Sequence, residues 1–403
     1  PLKGWWNDMK IRGSYGSLGN QVMDDLGNFP YLATYGTNSS YNYLINGSKP
    51  VIVKAPGLVA PDFTWETVTQ MDFGFDASFL NNRLTGTFDW YRRNTKDMLV
   101  AGATLPATLG ASVPKSNSAD MKTIGWELSL GWNDRLENGF SYWVKGVLSD
   151  YQATITKYAG NDAGFYSQSD GDGKYYVGQK IGEIWGYHSN GLFQSDDEAA
   201  TIDQSELYAG KWGAGDVKYE DLDNDGKITK GEETIYNPGD KSIIGNKTPR
   251  YQFGITVGFD YKNFDFEMFW QGTGKRDYML SGAQFWGFTS QWDVPYTPAL
   301  DYWTETNTDA YFPRPGWQNG GNRVTSDRYL QSAAYGRLKN LTVGYTIPKN
   351  LTTKWGISRL RLYVTGENLL TITPLNDAFD PETLGGMTYP INRKVAIGLN
   401  LTL

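Results

Sequence analysis

"VAIGLNLTL", residues 395 to 403, puts Val395, Ile397, Leu399, Leu401 and Leu403 on one face of an extended chain. Ala396, Gly398, Asn400 and Thr402 fall on the other, so one face is apolar and the other small and polar. The same split recurs in "LTVGYTI" (Leu341 to Ile347), in "ITVGFDY" (Ile255 to Tyr261) and in "FDFEMFW", where Phe264, Phe266, Met268 and Trp270 oppose Asp265 and Glu267. "MKIRGSY" from Met9, "MDFGFDASF" from Met71, "LTGTFDW" from Leu84, "WELSLGW" from Trp126 and "RLRLYVTGEN" from Arg359 extend the series. Period two sustained over so many segments predicts an all-β, antiparallel fold.

Turn signals separate several of these segments: "NNR" at 81–83, "ENG" at 137–139 and "KNF" at 262–264. Long Gly, Asn, Ser, Tyr and Pro-rich stretches separate others, at 17–64, 97–119, 159–249 and 272–334. One end of the sheet is therefore expected to carry short turns and the other long loops. A soluble sandwich and a membrane barrel both generate such alternation. A polar lumen accounts for Asp72, Asp76, Asp89, Glu127, Asp265, Glu267 and Arg361, which alternate with large apolar residues. Segment lengths suit the 9 to 11 residues or so that a strand needs to cross a bilayer. Trp5, Trp6, Trp65, Trp90, Trp132, Trp270 and Trp355 lie near segment ends, where interfacial girdles form.

Composition narrows the rest. The 403 residues include 27 Tyr, 15 Trp and 47 Gly, which favours strands and turns over helix bundles. No run approaches the roughly 20 apolar residues of a membrane-spanning helix. The net charge of -7, with scattered Lys and Arg, leaves no footprint for nucleic acid. With no cysteine, thiolate catalysis, Cys-ligated zinc and disulfides are excluded. The single histidine, His188, has no Ser and Asp at triad-like spacing, and the acidic neighbours Asp196 and Asp197, or Glu232 and Glu233, read as solvated loop acids. No catalysis is expected.

"DLDNDGKITKGEE", residues 221 to 233, carries a cation pattern instead. Asp221, Asp223 and Asp225 take positions one, three and five of a twelve-residue calcium loop, with Gly226 at the sharp turn, the Lys227 carbonyl at seven and Glu232 at twelve. Thr229 falls where a ligand acts through water, and Asp216 and Asp240 are alternative outer ligands. Flanking segments "VKY" and "YNPGDK" are not helical, so a bound Ca2+ is expected to be structural rather than a helix-opening switch.

One long stretch, "GRLKNLTVGYTIPKNLTTKWGISRLRLYVTGENLLTITPLNDAFDPET" (Gly336 to Thr383), closely resembles the C-terminal signature of SusC/RagA-family TonB-linked outer-membrane proteins. "MKIRGSYGSLGNQ", "VGQKIGEIWGYHSNGLFQS" and "GDVKYEDLDNDGKIT", the last followed by "IIGNKTPRYQFGI", agree in the expected order. The resemblance implies the C-terminal portion of a large transmembrane β-barrel, 22-stranded in the family, with long extracellular loops. The 159–249 excursion and its 221–232 calcium loop would then lie outside the cell. It further implies active import of oligosaccharides or oligopeptides, a SusD-like surface lipoprotein as partner, and energy relayed by TonB. Signal peptide, plug, TonB box and earlier strands are expected N-terminal to Pro1. The alternative reading is a secreted calcium-stabilised glycan-binding or adhesive β-protein. The aromatic loops "GAQFWGFTSQWDVPY" (Gly282 to Tyr296) and "YFPRPGWQNGG" (Tyr311 to Gly321) would serve sugar stacking, lipoprotein docking or their own packing.

Overall fold

The computed structural model describes residues 5–20, 31–38, 44–61, 63–102, 113–166, 175–384 and 389–403, with isolated positions between them. Parts of the expected 17–64, 97–119 and 159–249 loops lie outside the described residues. Ten long strands form one sheet in which each pairs antiparallel with the next in sequence. They are β1 (Trp6–Asn20), β2 (Glu66–Phe79), β3 (Leu84–Ala101), β4 (Lys115–Arg135), β5 (Ser141–Tyr158), β6 (Arg250–Tyr261), β7 (Phe264–Lys275), β8 (Tyr335–Thr346), β9 (Arg359–Ile372) and β10 (Lys394–Thr402).

Turn chemistry sets this meander. Asn81 and Asn82 adopt φ of 58° and 62° between β2 and β3, and Lys262 adopts 54° between β6 and β7. Left-handed residues at a tight turn match the twist of the strands they join. The short turns and the long connections fall at opposite ends of the sheet, as expected for a membrane barrel with its loops outside the cell.

Two differences from the sequence reading have physical causes. Strand β5 carries Trp143 and Val147 on the inner face, and that blurs its alternation. The inner position is open to Trp143 because Gly258 lies opposite it on β6, where a Cβ would strike the indole. Strands β3 and β4 also run further than expected, to Ala101 and from Lys115, because the ladder resumes after a bulge at Asp97 (φ 56°). With 21 residues in β4 and 18 in β5, these strands extend past the bilayer at the long-loop end.

Directly paired residues share a face, so the register traces both faces. On the outer face Val364 pairs with Val343 and Ile397, Met268 with Val257 and Leu341, and Leu128 with Phe88 and Leu148. Asp72, Asp76, Asp89, Glu127, Asp265, Glu267 and Arg361 all fall on the opposite face. At the turn end, rings form an aromatic belt: Trp5 on Phe79 at 5.7 Å, Phe140 on Phe259 at 5.5 Å, and Phe264 on Tyr345 at 4.7 Å. Trp6 and Trp132 join it, whereas Trp90 lies higher, opposite Trp126. Trp65 lies at the long-loop end against Gly19, and Trp355 is exposed in the β8–β9 turn.

Inner-face charges pair across strands. Arg12 Nε contacts Asp76 at 2.7 Å and Nη1 contacts Asp89 at 2.9 Å, while Arg361 grips Asp265, its Nε at 2.8 Å. Glycines make room for these grips. A Cβ on Gly344 would lie 2.5 Å from both Arg361 Nη2 and Asp265 Oδ1. Gly344→Ala is therefore expected to destabilise the barrel by about 1–3 kcal/mol through overpacking. Gly146→Ala, where a Cβ meets nothing within 4 Å, should change stability by less than about 0.5 kcal/mol. Denaturant unfolding of both variants in lipid checks the contrast, and equal costs would contradict the fitted pairing.

Candidate metal centre and the loop shell

Few of the sheet's own side chains are fully buried; the main apolar core lies in the long loops. Tyr187, Val217, Tyr219, Ile228, Phe285, Trp286, Phe312 and Tyr329 gather into one cluster. Its rings meet edge to face, as in Phe285 with Phe312 at 5.1 Å and Trp286 with Tyr329 at 4.6 Å. Of the uses expected for the aromatic stretches, Phe285, Trp286 and Phe312 serve the loops' own packing. Trp292, 83% exposed, and Trp317 stay at the surface.

The 221–233 loop is fastened to this core by its own eighth residue. Ile228 is fully buried, and its neighbours are bridged to Asp203: Asp203 N donates to Gly226 O at 3.0 Å and Ile228 N donates to Asp203 O at 2.7 Å. Gly226 (φ 85°) and Asn224 (φ 61°) supply the left-handed turns that curl the chain, the glycine at the position expected from spacing. Asp240 braces the loop from beneath, accepting Leu222 N and Thr229 N at 2.7 Å each.

Within the curl, carboxylate oxygens of Asp221, Asp223 and Asp225 lie within 4.8 Å of one another. Two oxygens bound to one Ca2+ at about 2.4 Å are at most about 5 Å apart, so the trio has the spacing and hard-oxygen chemistry a calcium ion takes. Asp221 accepts Asn224 N and Gly226 N at 2.7 Å each and Asp225 N at 3.3 Å. Burial works against its ionisation, but those N–H groups outweigh it and hold the carboxyl below its ordinary range. Burial pushes Asp223 up; an N–H from Asp225 opposes this, while the charges of Asp225, Asp240 and Asp221 reinforce it. A cation would relieve that repulsion.

Beside the trio, Lys227 donates its N–H to Asp225 Oδ1 at 2.8 Å. Glu232 is exposed and outside the carboxylate trio, its N–H donating to Asn237 O at 3.0 Å. Asp216 is buried and committed elsewhere, to Arg314 Nη2 at 2.7 Å, Asn322 Nδ2 at 2.8 Å and Gly213 N at 3.0 Å.

One arrangement escaped the sequence reading. His188 Nε2 lies 2.7 Å from Ser242 Oγ and Nδ1 lies 2.8 Å from Asp327 Oδ2, while Asp327 Oδ1 accepts Ser189 N at 2.9 Å. His188 and Ser242 come from the β5–β6 connection and Asp327 from the β7–β8 connection, and no linear spacing announces them. A hydrolytic relay also needs oxyanion donors and a substrate cleft. Clefts of about 310 and 480 Å³ are lined by other residues, and Ser242 sits inside a ladder opposite Gly186. The trio reads as a clip between loops. His188→Ala is expected to loosen the 325–330 segment, raising its amide exchange by about five- to tenfold for roughly 1 kcal/mol of lost hydrogen bonding. Unchanged exchange there would dismiss the clip.

Comparison with known proteins gives the architecture a family. Residues 4–369 match the family model described as TonB dependent receptor-like, beta-barrel. TonB-dependent receptor P3 of Formosa agariphila is 29% identical over 429 residues, covering 97% of this chain and 39% of that protein. TonB-dependent receptor SusC of Bacteroides thetaiotaomicron is 26% identical over 402 residues, covering 98% and 37%. A chain of the solved RagAB peptide transporter superposes with TM-score 0.75 at 22% identity, covering 99% of this chain and 41% of its own. The chain thus spans about two fifths of the length of these relatives. With its apolar outer face, polar inner face and matching family model, it belongs to the TonB-dependent receptor β-barrel family of the outer membrane.

Proposed function

We propose that this chain forms the C-terminal wall and part of the extracellular vestibule of a SusC-like active importer. Its cargo would be nutrient oligomers, oligosaccharides or oligopeptides, captured with a SusD-like surface lipoprotein and admitted when TonB acts on the full polypeptide. The observation that carries this reading is the pairing of a polar inner wall with a loop shell packed around its own aromatic core at the extracellular end. A wall lined with Asp, Glu and Arg suits hydrated cargo, and a shell with surface Trp292 and Trp317 offers rings for sugar or peptide contacts. No catalytic step enters this reading.

We propose also that Ca2+ occupies the 221–232 loop as a structural ion. Asp221, Asp223 and Asp225 would hold it, with the Lys227 carbonyl and Glu232 as further ligands. The ion would neutralise three crowded carboxylates in a loop already fastened at Ile228.

Uptake of labelled oligosaccharides and oligopeptides by cells carrying the full polypeptide tests the transport reading. Uptake that requires TonB and a SusD-like lipoprotein supports the proposal. Uptake independent of TonB would overturn it. So would a protein that dissolves without detergent and binds glycans, which is the secreted adhesive alternative.

A further inference from the structure

The 221–233 loop is closed at its base on one residue. The chain that enters it, Val217–Tyr219, pairs antiparallel with Ser189–Leu192, and the chain that leaves it, Lys241–Asn246, pairs antiparallel with Glu183–Tyr187. His188 is the single residue between those two partner segments. Its carbonyl accepts Glu220 N at 2.9 Å, immediately before Asp221, and its Nε2 lies 2.7 Å from Ser242 Oγ, two residues after Asp240. Both stems of the loop therefore converge on His188.

A third segment, from the β7–β8 connection, meets them there. Tyr187 N donates to Thr325 O at 2.9 Å and Asp327 N donates to Tyr187 O at 3.1 Å. The Asp327 carboxylate holds His188 Nδ1 at 2.8 Å and accepts Ser189 N at 2.9 Å. The entry stem is bonded to the same segment: Val217 N donates to Asn322 Oδ1 at 2.8 Å and Tyr219 OH donates to Gly321 O at 2.7 Å. From that segment Arg323 reaches the surface, its Nη2 donating to Trp317 O at 3.0 Å and its Nη1 to Gly316 O at 3.3 Å. Trp317 is one of the exposed rings that the proposed vestibule offers to cargo. A run of hydrogen bonds thus leads from the two ends of the cation loop to that surface, and none of its residues belongs to the ten-stranded sheet.

A junction of this kind links the order of the regions it joins. A ligand that fixes the loop fixes its stems, and fixed stems hold 325–327 more firmly; by linkage, loosening 325–327 weakens the ligand. We infer that His188 couples the 221–233 loop to the Trp317-bearing segment, so that a hard divalent cation in the loop orders the surface offered to cargo. The identity of that cation as Ca2+ rests on the proposal above, whereas the coupling rests on the junction at His188.

Hydrogen exchange of the detergent-solubilised full polypeptide, with and without millimolar CaCl2, tests the coupling. Ca2+ should slow exchange at 221–230 and, by about three- to tenfold, at 325–330. In His188→Ala the first effect should remain and the second vanish. Calorimetry should show Ca2+ bound about five- to tenfold more weakly by His188→Ala, which removes no carboxylate, with a smaller loss for Ser242→Ala, which keeps the ring. Asp197→Asn, at an exposed acid of the same excursion, should leave the affinity unchanged. Ca2+ that protects 221–230 without reaching 325–330, or that binds His188→Ala undiminished, would overturn the coupling and leave the calcium reading standing. Should Ca2+ not bind at all, the calcium reading fails, and Asp240→Ala, which removes the acceptor of Leu222 N and Thr229 N, decides the coupling. Faster exchange at 325–330 in that variant supports it, and unchanged exchange there overturns it.

Discussion

Leu128→Arg is expected to destabilise the folded barrel by about 2–4 kcal/mol, the cost of a cation facing lipid near the bilayer midplane. Leu128 lies on the outer face between Leu130 and Trp126, opposite Phe88 and Leu148, roughly 10 Å up the strand from Trp132 in the turn-side belt. Truncating it would leave no large cavity, so the penalty arises from lipid rather than lost packing. Ser129→Arg, one residue away, points inward to a cleft of about 310 Å³ that also holds Asp89 and Glu127. There a guanidinium finds room and opposite charge, and a change within about 0.5 kcal/mol is expected. Equilibrium unfolding in lipid bilayers compares the two. Similar costs for both would mean that the apolar face does not meet lipid.

Chelation is expected to raise the rate of proteolytic cleavage between residues 211 and 245 by about tenfold to a hundredfold while the strands stay protected. A ligand held at a hundred times its Kd stabilises what it binds by about 2.7 kcal/mol. When cleavage follows transient opening, that energy sets the cleavage rate. Ile228 and the Asp203 bridge remain, so the effect should stay local. Asp221→Ala should reproduce it even with Ca2+ present, since the Asn224 and Gly226 N–H groups lose their acceptor, at about 1–3 kcal/mol, while Asp225 N keeps Asp223. Unfolding of the whole barrel on chelation, or no change in the loop, would remove calcium from the account.

The sheet was legible because lipid and lumen impose opposite demands on alternate residues. Nine strands announce themselves by that split. Strand β5 does not, because Trp143 and Val147 take inner positions that only glycines on β6, Gly258 and Gly254, leave open. A residue's alternation depends on its neighbour strand, which linear sequence does not display. The cation trio was legible for the opposite reason: Asp221, Asp223 and Asp225 are held by contacts within five residues. Glu232 lies outside this trio, and its N–H donates to Asn237 O. The Ser242–His188–Asp327 clip was hidden because it is assembled from residues far apart in two connections.

No cysteine occurs in these 403 residues, which makes cysteine scanning along β4 direct. Single cysteines at each position from 126 to 132 in the full polypeptide, in intact bilayers, would be probed by a water-soluble maleimide and a lipid-soluble fluorescence quencher. The account predicts strict alternation, with 126, 128, 130 and 132 protected from maleimide and quenched from lipid, and 127, 129 and 131 unquenched by it. Uniform maleimide labelling with no quenching from lipid at any position would contradict it.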